Sequence, residues 1–316
     1  MPPPILGIHH VTAIATEPRR NLTFYSRVLG LRLVKRTVNF DDPGTHHLYY
    51  GDELGRPGTI VTFFPWPLAA RGRRGVGQVA VTSFRVPPGA LGAWRERLGG
   101  GGAVVTGLGA RPGGEEVLSF LDPDGLALEL ITDPAAAEQP AWEGGPVAAA
   151  EAIRGIASVT LWEQDSEATA ELLTRTLGFR LLAGEGDHLG FALGDGGPGT
   201  RLDVLRVAAA PYGRVAAGSV HHVAFRVADA AAQAAWRERL VVAGLEVTPV
   251  LDRRYFQSIY FREPGGVLFE IATDPPGFTR DEPPDRLGSD LKLPPWLESH
   301  RARIAAALPP LTPEGR

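Results

Sequence analysis

The 316 residues carry 32 basic and 36 acidic side chains, a formal net charge of −4, with 44% hydrophobic and 22% charged residues. That balance is enough to bury a sizeable core, and it excludes a charge-driven partner such as nucleic acid or an anionic membrane surface. Cysteine is absent, which removes disulfides, thiolate metal sites and cysteine nucleophiles together.

The N-terminal Met-Pro-Pro-Pro-Ile lacks the basic and apolar segments of a secretory signal. No apolar run approaches the ~18 residues of a membrane span, so a cytoplasmic protein is expected. The first strand is predicted over residues 8–16, where Val11, Ala13 and Ala15 alternate with their neighbours. A helix follows over 19–29, with Leu22, Phe24, Tyr25 and Val28 on one face and Gly30 as its stop. Strands over 31–39, 46–50 and 59–64 are separated by Pro, Gly and Asp turns. The next unit repeats the plan: strands near 78–86, 117–121 and 126–132, and a helix over 91–98. Gly107-Leu108-Gly109 lacks the spacing and setting of a dinucleotide loop and is expected to be a turn. Residues 135–152 read as a link. Two further units cover about 153–207 and 218–273, and a tail with a short helix near 295–308 closes the chain.

The units are copies of one another. Ala93-Trp94-Arg95-Glu96-Arg97-Leu98 recurs as Ala235-Trp236-Arg237-Glu238-Arg239-Leu240. The stretch from Phe120 through Glu129 to Asp133-Pro134 recurs about 141 residues on, from Phe261 through Glu270 to Asp274-Pro275. Gly7-Ile8-His9-His10-Val11-Thr12 aligns with Gly155-Ile156-Ala157-Ser158-Val159-Thr160 at an offset of 148. The chain therefore reads as two homologous halves of two units each.

Four tandem βαβββ units of this kind resemble the vicinal-oxygen-chelate superfamily of glyoxalase I, extradiol dioxygenases and their relatives. Its local marks here are the His-Val opening of the first strand and the Pro-Gly-Gly…Phe-Glu ending of the last. The resemblance implies an α+β fold with two cup-like half-barrel domains. These are expected at residues 1–140, supplying His10, and 153–285, supplying His222 and Glu270, with a tail at 286–316. The family pattern puts a metal ligand immediately before the Val, which selects His10 and His222, and it takes Glu270 as the third. Imidazole and carboxylate ligands suit Fe, Mn, Ni or Zn, and two His plus one carboxylate leave positions open for substrate and oxygen. Adjacent strand residues face opposite sides, so His9 and His221 point away unless the strand is twisted or bulged. In the other half Ser158 and Val81 replace the two histidines while Glu129 keeps the carboxylate, so one cup holds metal and its twin does not. Glu129 is expected to be structural, bonded to a nearby Arg. Unit one must then pack beside unit four.

Leu33-Val34-Lys35-Arg36-Thr37-Val38, His47-Leu48-Tyr49-Tyr50-Gly51-Asp52-Glu53-Leu54-Gly55, Tyr255-Phe256-Gln257-Ser258, and the tail segments Gly277–Glu282 and Leu287–Lys292 narrow the match. They resemble the hydroquinone-type ring-cleaving dioxygenases over nearly the whole chain. That resemblance implies Fe(II), with Mn(II) as the alternative ion, acting on a small aromatic diol and O2. It assigns proton handling to His9, His221, Arg253 and Tyr260. The loop at Arg253 is one residue shorter than the family leads one to expect, so Arg253 and Arg254 compete for one role. His46 and His47 read as strand pairing or surface, with one able to line the cup, and His188 and His300 read as solvent-facing. A glyoxalase-type isomerase and a non-catalytic binder of aromatic compounds are the other readings of the same fold. A homo-oligomer is left open.

Overall fold

The computed structural model describes residues 2–111 and 114–311. The first unit contains β1 (Gly7–Ala15), β2 (Arg32–Val38), β3 (His46–Gly51) and β4 (Ile60–Pro65). The second contains β5 (Gln78–Val86), β6 (Val104–Ala110), β7 (Glu116–Leu121) and β8 (Ala127–Thr132). The third contains β9 (Ile156–Glu163), β10 (Phe179–Glu185), β11 (His188–Leu193) and β12 (Arg201–Arg206). The fourth contains β13 (Ser219–Val227), β14 (Leu251–Asp252), β15 (Gln257–Arg262) and β16 (Leu268–Thr273). Gly107 and Gly109 lie inside β6, an exposed edge strand paired antiparallel with β7, so the expected turn is corrected to a strand. A Gly-rich edge strand has too few side chains to show alternation.

The strands form two eight-stranded sheets, ordered β14-β15-β16-β13-β1-β4-β3-β2 and β10-β11-β12-β9-β5-β8-β7-β6. Each sheet therefore draws one unit from residues 1–140 and one from 153–285. The first joins units one and four through the antiparallel pair β1–β13, and the second joins units two and three through β5–β9. The duplicated glycines let the two sheets touch: Ile8 N donates to Gly199 O at 2.7 Å, and Ile156 N donates to Gly58 O at 2.8 Å. Gly7 and Gly155 take φ of 138° and 114°, and a Cβ on either would stand 2.9 Å from the opposing carbonyl oxygen.

Repeated sequence makes repeated contacts. The indole N–H groups of Trp94 and Trp236 each donate to a backbone carbonyl, of Glu151 and Pro3. Arg97 caps the carbonyls of Arg27 and Val28, as Arg239 caps those of Arg175 and Thr176. Those carbonyls end helices that widen into π turns at Phe24–Val28 and Leu172–Thr176, and helix ends leave carbonyls in need of donors. The tail forms short helices at Pro295–Glu298 and Arg301–Ala307, starting with Pro as expected. Among the described residues no helix is long and apolar enough to cross a membrane.

Glu163, at the end of β9, is buried and its Oε1 has no hydrogen-bond partner. Burial, then the Glu263 carboxylate nearby, pushes its pKa up to about 8. A raised carboxyl pKa gives stability that is complete below the ordinary carboxylate range and is lost as pH rises through about 8. Glu163→Gln is therefore expected to flatten the fall in stability between pH 5 and pH 8, with a gain of roughly 1 to 2 kcal/mol at pH 8. Thermal melts at the two pH values test this, and equal pH dependence in both proteins would refute it.

Candidate metal centre

The first sheet carries the expected constellation at its centre. His10 on β1 and His222 on β13 are brought together by the antiparallel pairing, and Glu270 lies beside them on β16 in parallel register with β13. His10 Nε2 lies 3.3 Å from His222 Nε2 and 3.4 Å from Glu270 Oε2, and His222 Nε2 lies 2.9 Å from the same oxygen. All three side chains are buried, and this is the one such group among the described residues.

These distances fit three ligands of one metal ion. Ligands at right angles around a first-row divalent ion, with bonds of about 2.1 Å, stand about 3 Å apart. Glu270 Oε2 is buried and makes no hydrogen bond, although two ring nitrogens crowd it. Burial alone would raise the Glu270 pKa, but the imidazoles of His10 and His222 hold it well below the usual range. Burial lowers the His222 pKa, partly offset by Glu270. A carboxylate beside a neutral imidazole suits a divalent cation. Ser258 Oγ donates to Glu270 Oε1 at 2.5 Å and fixes the carboxylate.

The neighbouring histidines reach the site because both strands are bulged. The register of β1 and β13 shifts between Ile8 and His10, where His9 is the extra residue, and between Thr12 and Ala13, opposite which His221 is extra. His9 Nδ1 lies 2.9 Å from His10 Nδ1, and His221 Nδ1 lies 2.8 Å from His222 Nδ1. With Nε2 of each inner ring committed to the triad, its Nδ1–H donates to the outer ring, which accepts through Nδ1. Burial first, then the adjacent inner imidazole, lowers the His9 pKa and takes that of His221 to about 3, so both outer rings are neutral. The bulges also occur in the twin sheet, at Ala80 and Ala157. They belong to the fold, and the histidines use them.

His10 and His222 line a cavity of about 310 Å³, large enough for a substituted single ring, while Glu270 is buried beside them. Phe40, Phe64, Trp66 and Phe256 supply aromatic walls, while His221, Arg253 and Tyr260 present polar groups. Arg253 Nε donates to the Tyr260 hydroxyl at 3.3 Å, leaving the phenolic hydrogen free to point into the cavity. Burial, then Glu270, raises the Tyr260 pKa, so it stays protonated. Arg253 also reaches Asp41 across the cavity mouth at 3.4 Å. Arg254 takes φ of 72° and does not line the cavity, so the loop presents Arg253. His9 is buried behind His10 against Phe256 and does not line the cavity.

In the twin sheet a guanidinium bridges the counterparts of Glu270 and His10. Arg111 donates to Glu129 at 2.8 Å and to Ser158 at 3.2 Å, and Ser83 donates to Glu129 at 2.8 Å. Of the remaining histidines, His46 Nε2 pairs with the Pro309 carbonyl at 2.8 Å. His188 pairs with Asp203 at 3.1 Å rather than facing solvent alone, and His300 is exposed. Of the pair His46 and His47, His47 is the one that lines the cavity; Thr12, Tyr49 and Ser258 carry no site role in the sequence, yet the first two line the cavity and the third orients Glu270.

The model of the Glyoxalase/Bleomycin resistance protein/Dioxygenase superfamily matches residues 7–130 and 155–271. A Bacillus subtilis (strain 168) relative named "Putative ring-cleaving dioxygenase MhqO" is 46% identical over 308 residues, 96% of each chain. The chlorohydroquinone/hydroquinone 1,2-dioxygenase of Sphingobium indicum is 37% identical over 306 residues, 94% of each chain. The crystal structure of a "putative dioxygenase" from Bacillus subtilis superposes with a TM-score of 0.93 at 45% identity, covering 98% of each chain.

Proposed function

Because this chain belongs to the glyoxalase/bleomycin resistance protein/dioxygenase superfamily, we propose that it is an Fe(II)-dependent ring-cleaving dioxygenase acting on a hydroquinone-type or catecholic diol. The observation that carries this reading is the buried His10–His222–Glu270 group, whose two histidines line an aromatic-walled cavity. These three residues would hold the ion, Mn(II) being compatible with the same donors. Such an ion, when bound, would act as a Lewis acid toward a phenolic oxygen of the diol and toward O2.

The chain's own residues do the rest. Neutral His9 and His221 hold the inner imidazoles in the tautomer that leaves Nε2 free. The aromatic walls sequester the ring from water. Tyr260 donates its phenolic hydrogen to an oxygen bound beside the triad, and Arg253 fixes that hydroxyl and offsets negative charge developing there. Tyr260→Phe is expected to keep iron binding and to lower kcat by roughly 10- to 100-fold. Equal kcat in the two proteins would return Tyr260 to a packing role.

A glyoxalase-type isomerase would use a second carboxylate as base, but Glu129 belongs to the other cup and is tied to Arg111. The test is an oxygen electrode with the anaerobically iron-loaded protein and a panel of hydroquinones and catechols. Uptake of one O2 per diol is expected. Turnover without oxygen uptake would favour the isomerase, and stoichiometric binding without turnover would favour a binder.

A further inference from the structure

One cluster in the first cup is unused by the reaction as described. His47 Nδ1 lies 2.9 Å from the Tyr49 hydroxyl, and its Nε2 lies 2.7 Å from Thr62 Oγ1. Thr62 Oγ1 lies 3.1 Å from Thr12 Oγ1. The four side chains cross three neighbouring strands, β1, β4 and β3, because Thr12 and Tyr49 each stand in register with Thr62. Both ends of the chain, Thr12 and Tyr49, line the cavity, whereas Thr62 is buried and does not. Thr12 stands opposite His222 in the β1–β13 register, so its end lies beside the triad.

Burial lowers the His47 pKa well below its ordinary value and keeps the ring neutral, so one ring nitrogen donates while the other accepts. Only two arrangements then satisfy every link. In one, each hydrogen points from Thr12 toward Tyr49, and the Tyr49 hydroxyl donates into the cavity. In the other, every hydrogen points back, and Thr12 donates into the cavity. Switching between them moves one proton from one end to the other without charging His47.

The duplication supplies an internal control. The counterpart of His47 is His188, paired with Asp203 as His47 is with Thr62, and Asp203 stands in register with Thr160 as Thr62 does with Thr12. There the chain is broken: Gly190 replaces Tyr49 in the register, and Asp203 is tied to Arg111 and Arg201. The continuous chain occurs in the cup that has the triad.

We propose that Thr12, Thr62, His47 and Tyr49 form a proton relay that removes the proton from a substrate hydroxyl seated at the triad. The step rests on the site reading given above. The substrate O–H breaks as its proton passes to Thr12 Oγ1, and the Thr12 proton passes to Thr62. The Thr62 proton passes to His47 Nε2, the His47 Nδ1 proton to Tyr49, and the Tyr49 proton to water in the cavity. One proton leaves the substrate and one reaches solvent, with no change of oxidation state.

Thr62 gives a clean test because it does not line the cavity. Iron-loaded protein is mixed anaerobically with 4-nitrocatechol, and ionisation of the bound probe is followed by stopped-flow absorbance. Thr62→Val is expected to slow ionisation roughly 10-fold or more, with the probe's Kd within about twofold and with Thr62→Ser retaining the rate. In the metal-free protein, Thr62→Val is expected to change the ring 15N shifts of His47. Ionisation as fast in Thr62→Val as in the wild type, unchanged 15N shifts, or no probe ionisation by the wild type would each overturn the relay. Probe ionisation that depends on Thr62, without oxygen uptake on any diol, would leave the relay standing and overturn the ring-cleaving reaction instead.

Discussion

Replacing His10 or His222 by alanine is expected to weaken iron binding by at least about 100-fold and to abolish oxygen uptake, whereas Glu129→Gln leaves both unchanged. The contrast follows from what each carboxylate meets. Glu270 Oε2, a buried oxygen without a hydrogen bond, faces two imidazole nitrogens, at 2.9 and 3.4 Å. Losing either imidazole leaves two ligands, too few to outcompete water for a divalent ion. Glu129 already has its cation in Arg111, at 2.8 Å, and hydroxyl donors from Ser83 and Ser119. The comparison is made by anaerobic Fe(II) titration and an oxygen electrode on the three variants. Iron loss in Glu129→Gln would mean that the metal lies in the second sheet, which this account excludes.

The second large effect concerns stability. Lys35 on β2 is completely buried, with its ammonium donating to Asp281 at 2.7 Å and to Glu282, and lying 4.9 Å from the centre of the Tyr255 ring. Asp281 also accepts from the Tyr255 hydroxyl, and Glu282 from the backbone of Gly288 and Asp290. The tail is thereby stapled to β2, and Tyr255 and Phe278 pack with Tyr49 and Phe256 behind the cavity wall. Removing the ammonium strands the buried Glu282 carboxylate and the half-buried Asp281 carboxylate, a loss expected to cost about 3 kcal/mol in Lys35→Ala. Lys35→Met combined with Asp281→Asn and Glu282→Gln should recover part of it, because no uncompensated charge remains. Urea unfolding measures both. A Lys35→Ala protein as stable as the wild type would show that the pair adds nothing net.

Much of this architecture is legible in the sequence because duplication prints it twice. The offsets near 141 and 148 align His10 with Ser158 and Glu270 with Glu129, and they require units one and four to share a sheet, as β1–β13 does. What the sequence hides is local geometry. A bulge has no residue signature, and at these positions the fold places His9 and His221 in one sheet and Ala157 and Ala80 in the other. Strict alternation therefore sends the outer histidines away from a site that they in fact contact. Thr12 and Thr62 are ordinary strand residues until the register sets them side by side. Arg253 and Arg254 are distinguishable only through backbone conformation, since φ of 72° at Arg254 leaves Arg253 to line the cavity. Gly107 and Gly109 pair in an edge strand because β7 supplies the ladder that their composition does not advertise.

The most direct test is an anomalous difference map at the iron edge from crystals of anaerobically loaded protein. A single peak within bonding distance of His10 Nε2, His222 Nε2 and Glu270 Oε2 is predicted. A peak beside Glu129, or none at that histidine pair in iron-replete crystals, would contradict the reading on which the proposed chemistry depends.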